Sequence, residues 1–248
     1  MTSEKQYRRG IIHSHSKYSF DSTISISAYL RVARTHNLDF IILTDHDTTA
    51  GSRELRRVAA LMMPELEVPI AAEYLTDGGD VIAAFMDDEI HARAFPEFVR
   101  EAREKKAILI LPHPYVGHRA PDELARECDL IEAVNCRTSE SKNKRGEALA
   151  QSLKKRTVVG TDAHLARSIA SGIVEVEVRG SLKSSLLDGE IRWATPTMTR
   201  RWEYGASQLV KAWKKHDARL AVRLMRGAAA RILGIRRHTV SASRAGLG

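Results

Sequence analysis

With 248 residues, 43% of them hydrophobic and 28% charged, the chain is long enough to bury a sizeable core without disulfide staples. A run of about 18 apolar residues is absent, which argues against a membrane-spanning helix, and MTSEKQYRRG has no apolar stretch behind its charges, so no secretory signal is expected. The net charge of +8 is unevenly placed: from Arg200 onward twelve Lys/Arg face only Glu203 and Asp217, about +10, which leaves about −2 for the first 199 residues.

In chain order, RGIIHSH reads as a strand and SISAYLRVARTHN as a helix. DFIILTDH is a buried strand, followed by the helix GSRELRRVAALMM. VPIAAEY and DVIAAFM are strands, and AFPEFVREAREKK is a helix with Pro96 near its first turn. AILILPHP is a strand, PDELARE a short helix and LIEAVNC a strand. SKNKRGEALAQSLKKR is a helix, and TVVGTDAH and IVEVEV are strands. Continuous apolar strands separated by helices predict an α/β fold, a parallel sheet or barrel covered by helices. Cys128 and Cys136 form neither a disulfide framework nor a CxxC pair, so a reducing cytoplasm is the simplest compartment.

The predicted strands end in polar, ligand-type residues: HSH, TDHD, AEY, LPHP, VNC and GTDAH. In parallel α/β architectures the strand C-termini share one face. His13, His15, Asp21, His46, Glu73, His113, Asp162 and His164 are therefore expected to converge. Mixed imidazole and carboxylate donors suit Zn²⁺, Mn²⁺ or Fe²⁺. Alternation along a strand lets His13 and His15 reach one ion, and Asp162 and His164 repeat that spacing. A lone HxH, HP or DH is a weak signal, but the whole set is hard to produce by chance. Eight donors exceed one tetrahedral ion and suffice for two or three ions sharing a bridging carboxylate. Asp45 and Asp47, flanking His46, read as partners that orient it.

These motifs, HSHSKYSFDS, LTDHDTTAG, the AEY glutamate, LPHP and GTDAH, resemble in order and spacing those of the PHP (polymerase and histidinol phosphatase) superfamily, over roughly residues 8 to 180. The resemblance implies a distorted (β/α)7 barrel, two or three divalent ions (Mn, Fe or Zn) at the strand C-termini, and phosphoester hydrolysis. It implies one ion on His13, His15, Glu73 and Asp162, a second bridged by Glu73 and held by His113, and a third on Asp21, His46 and His164. Glu73, Asp162 and His164 would also serve catalysis. Two departures stand out. Relatives often begin with DLHxH, whereas Ile11 and Ile12 precede His13, so an acidic partner is missing. A histidine carried by trinuclear members after the strand read here as VIAAFMDDE falls near Met86 or Asp87, and Asp87, water or substrate would complete that ion.

Asn135 and Arg137 follow the LIEAV strand, and Arg137 suits a phosphate because its fork meets two oxygens. Arg119, His118 and Arg167 lie on loops just past the motifs as further substrate-binding candidates, for each of which a role away from the substrate is the commoner reading; for Arg137 the two readings balance. Cys136 reads as packing, and Glu132 as a buried polar group or a ligand-orienting one. No GxSxG elbow or Walker loop is present, so the expected reaction is attack on a phosphate monoester, including a nucleotide or oligonucleotide end, by a metal-bound hydroxide. The alternatives are another hydrolysis on the same site, such as that of an amide, or a non-catalytic module.

The domain division expected is 1–195 for the metallo-phosphoesterase and 196–248 for a basic helical extension. SQLVKAWKKHDARLAVRLMRGAAARILGIRRH can form an amphipathic helix with Lys211, Lys215, Arg219 and Arg223 as a basic stripe, and SASRAGLG reads as a disordered end. Three roles compete: packing on the body, an interfacial helix on anionic lipid that makes the protein membrane-peripheral, or nucleic-acid contact. The oligomeric state is left open.

Overall fold

The computed structural model describes residues 6–224. The SASRAGLG end and the second half of the basic run lie outside the described residues. In order the elements are β1 (Tyr7–Ile12), α1 (Ile26–His36), β2 (Phe40–Ile42), α2 (Ala50–Met62), β3 (Ala71–Thr76), β4 (Gly79–Ala84), α3 (Phe95–Glu104), β5 (Ile108–Leu111), α4 (Pro121–Glu127), β6 (Leu130–Asn135), α5 (Glu140–Ser152), β7 (Arg156–Gly160), β8 (Ile173–Glu177), α6 (Leu182–Asp188), β9 (Ile191–Trp193) and α7 (Arg201–Lys214). The alternation of strands and helices matches the sequence reading, with α6 and β9 added.

The fold is mixed α/β rather than all-parallel. One sheet runs β2-β1-β8-β9 and the other β3-β4-β5-β6-β7. β1 and β2 are parallel, as are β5, β6 and β7, but β4 runs antiparallel to both β3 and β5, and β8 antiparallel to β1. The turn between β3 and β4 is Asp77-Gly78, a two-residue hairpin connection that reverses the chain. Isolated parallel bridges, His46 to Glu73, Phe40 to Glu67 and Ser14 to Ala163, span the gaps between the sheets.

Alternation along each strand explains the continuous apolar runs. Ile108 and Ile110 face an interior core with Ile12, Ile42, Ile82 and Val158, while Leu109 and Leu111 face Phe98, Leu124 and Leu149 of the covering helices. Ile11 and Ile41 instead meet Tyr29, Leu30 and Leu55 of α1 and α2. α1 starts where the Ser25 side chain accepts from the Ala28 N–H and stops at Asn37, which is left-handed at φ 51°.

The basic extension is not one helix. α7 ends at Lys214, His216 turns left-handed at φ 52°, and helix resumes from 218, so the i+4 stripe from Lys211 to Arg223 is interrupted. α7 packs on the body through Glu203, Ser207 and Ala212, all buried. Among the described residues, no helix is long and apolar enough to cross a membrane.

Candidate metal centre

The eight candidate residues come together at one end of the interior core, but not by strand alternation. β1 ends at Ile12 and β7 at Gly160, so His13, His15, Asp162 and His164 lie on the turns beyond. Backbone bonds stitch these turns together: His15 N–H to the Ala163 carbonyl (2.9 Å), Asp162 N–H to His13 (2.7 Å) and Thr44 N–H to Ser14 (2.9 Å). His13, His113 and Asp162 all adopt left-handed backbone, at φ 62°, 29° and 46°. Such conformations cost about 1–3 kcal/mol each in a non-glycine residue and cluster where function over-determines them.

Glu73 is the pivot. Its Oε1 lies 3.1 Å from His113 Nε2 and 3.5 Å from His13 Nε2. Its Oε2 lies 3.1 Å from His46 Nδ1 and 3.4 Å from His15 Nε2. Asp162 Oδ1 stands 3.4 Å from His15 Nε2 and 3.7 Å from His13 Nε2. Asp21 Oδ2 is 3.0 Å from His164 Nε2 and 3.5 Å from His46 Nε2. Four overlapping groups have donor atoms within 4.8 Å of one another: His13–His15–Glu73, His13–His113–Asp162, His15–His46–His164 and Glu73–Asp80–His113. Glu73 Oε2 and Asp21 Oδ1 are buried without a hydrogen bond among the described residues. An unsatisfied buried carboxylate oxygen is costly, and a divalent cation satisfies it. The donor set therefore fits metal ions.

Asp80 was missed by the sequence reading. The assumption of parallel strands places ligands at strand C-termini, but β4 is antiparallel, so its beginning lies at the site. Its other end is remote: Met86 is buried in the outer core and donates its N–H to the Ile70 carbonyl before β3, with Asp87 next to it. Asp87 is thus not placed to complete an ion, and Asp80 is. The Asp-Gly turn was the available signal.

The supporting residues fix the donors. Glu132 Oε1 is 2.8 Å from His13 Nδ1, leaving Nε2 for the site, and Glu132 Oε2 accepts from the His113 N–H at 2.7 Å. This carboxylate from β6 supplies the acidic partner that Ile11 and Ile12 do not. Asn135, fully buried, donates to Glu132 (2.8 Å) and Asp162 (3.3 Å), so its amide orients carboxylates. Asp45 accepts from the N–H and hydroxyl of both Ser16 and Ser19, and Ser19 Oγ lies 3.1 Å from His15 Nδ1. Asp47 instead faces the Leu75 N–H and Arg93. Cys136 is buried packing.

Among the arginines, Arg137 reaches the site: it donates to the His164 ring, lies 3.6 Å from Asp162 Oδ1, and is held by Ser207 of α7 at 2.9 Å. Arg167 pairs with Glu203 and covers Trp202. Arg119 is exposed, and His118 hydrogen-bonds the Asp80 carbonyl.

α7 also grips the loop that carries Asp21. The Lys214 ammonium donates to the carbonyls of Lys17, Ser19 and Ser22, each at 2.7 Å. Lys215 lies 3.9 Å from the centre of the Phe20 ring, which stacks at 4.6 Å on His46. Lys214→Met keeps the stem and loses all three donors. Weakening of the Asp21–His46–His164 position by about tenfold is expected, read by metal titration calorimetry. Unchanged affinity would show that the grip does not position Asp21.

Electrostatics set the protonation states. Burial opposes charge on His13, yet Glu132, Glu73 and Asp162 raise its pKa well above the usual value, and Glu73 and Asp21 do the same for His46. His113, also against burial, is raised to about 9 by Glu73. Burial and the neighbouring His46 and His164 push His15 down to about 3, leaving it neutral. Burial opposes ionisation of Glu73 and Asp162, but histidines, with Arg137 for Asp162, hold both well below the carboxylate range. The metal-free chain therefore stores protons on His13, His46 and His113. The stability that His113 adds is full below its unfolded value of 6.5 and is lost as pH rises through about 9. Metal must displace these protons, so affinity should climb between about pH 6 and pH 8 by about tenfold per unit for each proton released. Buffer-dependent binding heats measure that release, and a flat affinity would contradict it.

Comparison with known proteins gives a concordant picture. A PHP domain model matches residues 12–135, and a PHP-associated model matches 140–190. An uncharacterized protein of Methanocaldococcus jannaschii is 29% identical over 115 residues, covering 42% of this chain and 66% of that protein, so the chain spans just under two thirds of this relative. A two-domain protein from Bacteroides vulgatus containing a predicted PHP-like metal-dependent phosphoesterase aligns with TM-score 0.66 and 16% identity over 77% of this chain and 66% of that one. PsfC from Pseudomonas syringae aligns with TM-score 0.59 and 15% identity over 85% and 99%. An amidohydrolase from Chromobacterium violaceum with bound sulfate aligns with TM-score 0.51 and 13% identity over 63% and 87%. At these identities the likeness to the solved structures is one of fold.

Proposed function

The chain belongs to the PHP domain family, and from that premise we propose that it is a metal-dependent phosphoesterase acting on a phosphate monoester. Nucleotides and oligonucleotide ends are the members of that class to screen first. The observation that carries the reading is Glu73, each of whose oxygens faces a different pair of histidines, as a bridging carboxylate requires. His13, His15, Glu73 and Asp162 would hold one ion. His113 with Glu73 and Asp80 would hold a second, and Asp21, His46 and His164 a third. We read β1 to β7 as the family's distorted (β/α)7 ring, its ladder interrupted where isolated bridges join the two sheets.

Divalent Mn, Fe or Zn, when bound, supplies Lewis acidity toward phosphoryl oxygens and an acidified water as nucleophile. The chain supplies the rest. Glu132 keeps His13 in one tautomer, Asn135 aligns Asp162, and Arg137 presents a fork that meets two phosphate oxygens. Held against Asp162 and Ser207, that guanidinium favours an anionic substrate over an amide.

The test is elemental analysis of the purified protein with p-nitrophenyl phosphate hydrolysis before and after chelation and metal add-back. Two or more ions and metal-restored turnover support the proposal. Bound metal without turnover on a panel of phosphate monoesters would reject the phosphoesterase and favour a different hydrolysis. Absence of metal uptake would reject both.

A further inference from the structure

We propose that the outer face of α7 is an interfacial anchor that seats the protein on an anionic lipid surface. The argument is independent of the metal centre. Ten large hydrophobic side chains stand exposed among the described residues, and six of them, Met198, Trp202, Tyr204, Leu209, Trp213 and Val222, fall within one 25-residue stretch. A folded body that buries its other apolar side chains concentrates exposed ones where a partner covers them.

Their spacing on α7 is specific. Trp202, Leu209 and Trp213 recur at i, i+7 and i+11, which places them on one stripe of the helix. The stripe faces away from the body, because Glu203, Ser207 and Ala212 are the buried positions and Trp213 is 70% exposed. Arg200, Arg201, Arg219 and Arg223 are exposed cations along the same stretch, whereas Lys211, Lys214 and Lys215 turn to Phe20 and the Asp21 loop. The one acidic residue of α7, Glu203, is turned inward, where Ser168 donates to it. The chain from Arg200 onward carries about +10.

Two indoles and a leucine on the outside, with exposed arginines before and after them in the chain, match the boundary between headgroups and acyl chains. The cations complement anionic headgroups. A nucleic-acid surface would answer the charge but leave Leu209 in water, so lipid fits more of the face.

The experiment is co-sedimentation of the full chain with phosphatidylcholine vesicles, with and without phosphatidylglycerol, while tryptophan emission is followed. Binding to the anionic vesicles alone, with a blue shift, is expected. Leu209→Ser with Trp213→Ser should weaken partitioning at least about tenfold, while hydrolysis of a small soluble phosphate ester stays unchanged. Circular dichroism of the double variant controls for folding, since both side chains point outward. Absence of vesicle binding overturns the proposal. So does binding that the double variant leaves intact, or a sedimentation-velocity dimer whose formation depends on Trp213 and excludes vesicles.

Discussion

Glu73→Gln is expected to remove at least one bound ion and to lower phosphate-ester turnover by about a thousandfold, with the fold intact. Gln keeps the shape but halves the acceptors and loses the charge. Glu73 sits against His13, His15, His46 and His113, so two of the proposed ion positions lose a donor and the third loses the carboxylate beside His46. Loss of one well-placed electrostatic group in a dry site costs about 10²–10³ in rate by itself, and loss of an ion adds to that. The pKa values of His13, His46 and His113, now held up by this carboxylate, should fall together. Imidazole NMR titration of the metal-free variant reads that change directly. Full metal content and full turnover would remove Glu73 from the bridging role.

Gly160→Ala should damage the same centre from beneath. An added Cβ would stand 1.3 Å from Glu132 Oε1 and 2.2 Å from its Cδ. Neither contact is tolerable, and Glu132 is pinned by His13, the His113 N–H and Asn135. The carboxylate must leave His13, which frees that ring to rotate and lose its tautomer. The expected outcome is a 10–100-fold loss of metal affinity, the usual cost of deleting a ligand's orienting partner, and about 1–3 kcal/mol of overpacking strain in denaturant melts. Gly160→Ala combined with Glu132→Ala separates the two effects. Stability should recover in part while affinity stays low. A single variant with normal affinity would mean that Glu132 does not orient His13.

What could be read from the chain divides along physical lines. Ligand identity was legible, because imidazoles and carboxylates placed behind apolar runs have few other uses. Helices with strong caps were legible too, such as α1 between Ser25 and Asn37. Strand direction was not. Apolar runs such as ILIL look alike in either orientation, and only the Asp77-Gly78 turn marks the reversal that brings Asp80 to the site and takes Asp87 away. The convergence of His13 with His15 was anticipated through alternation on a strand, whereas a left-handed turn achieves it. Glu132 was ambiguous because its partner, His13, is 119 residues away. An extension starting at 196 gave no hint that Ser207 and Lys214 would reach Arg137 and the Asp21 loop.

The Lys214 grip also sets a clock. Lys17, the first of the carbonyl acceptors it ties down, lies 197 positions earlier in the chain. At about 5–20 residues per second, a ribosome takes about 10–40 s to get from one to the other. During that interval the loop carrying Asp21 has no clasp, although His13, His15 and His46 have already emerged. A chain broken off after 164 but before 214 keeps every donor yet never closes the clasp. On the proposed metal reading, full loading of the Asp21–His46–His164 position is therefore expected only once residue 214 is in place, and copies that stop short of it should compete less well for scarce ions.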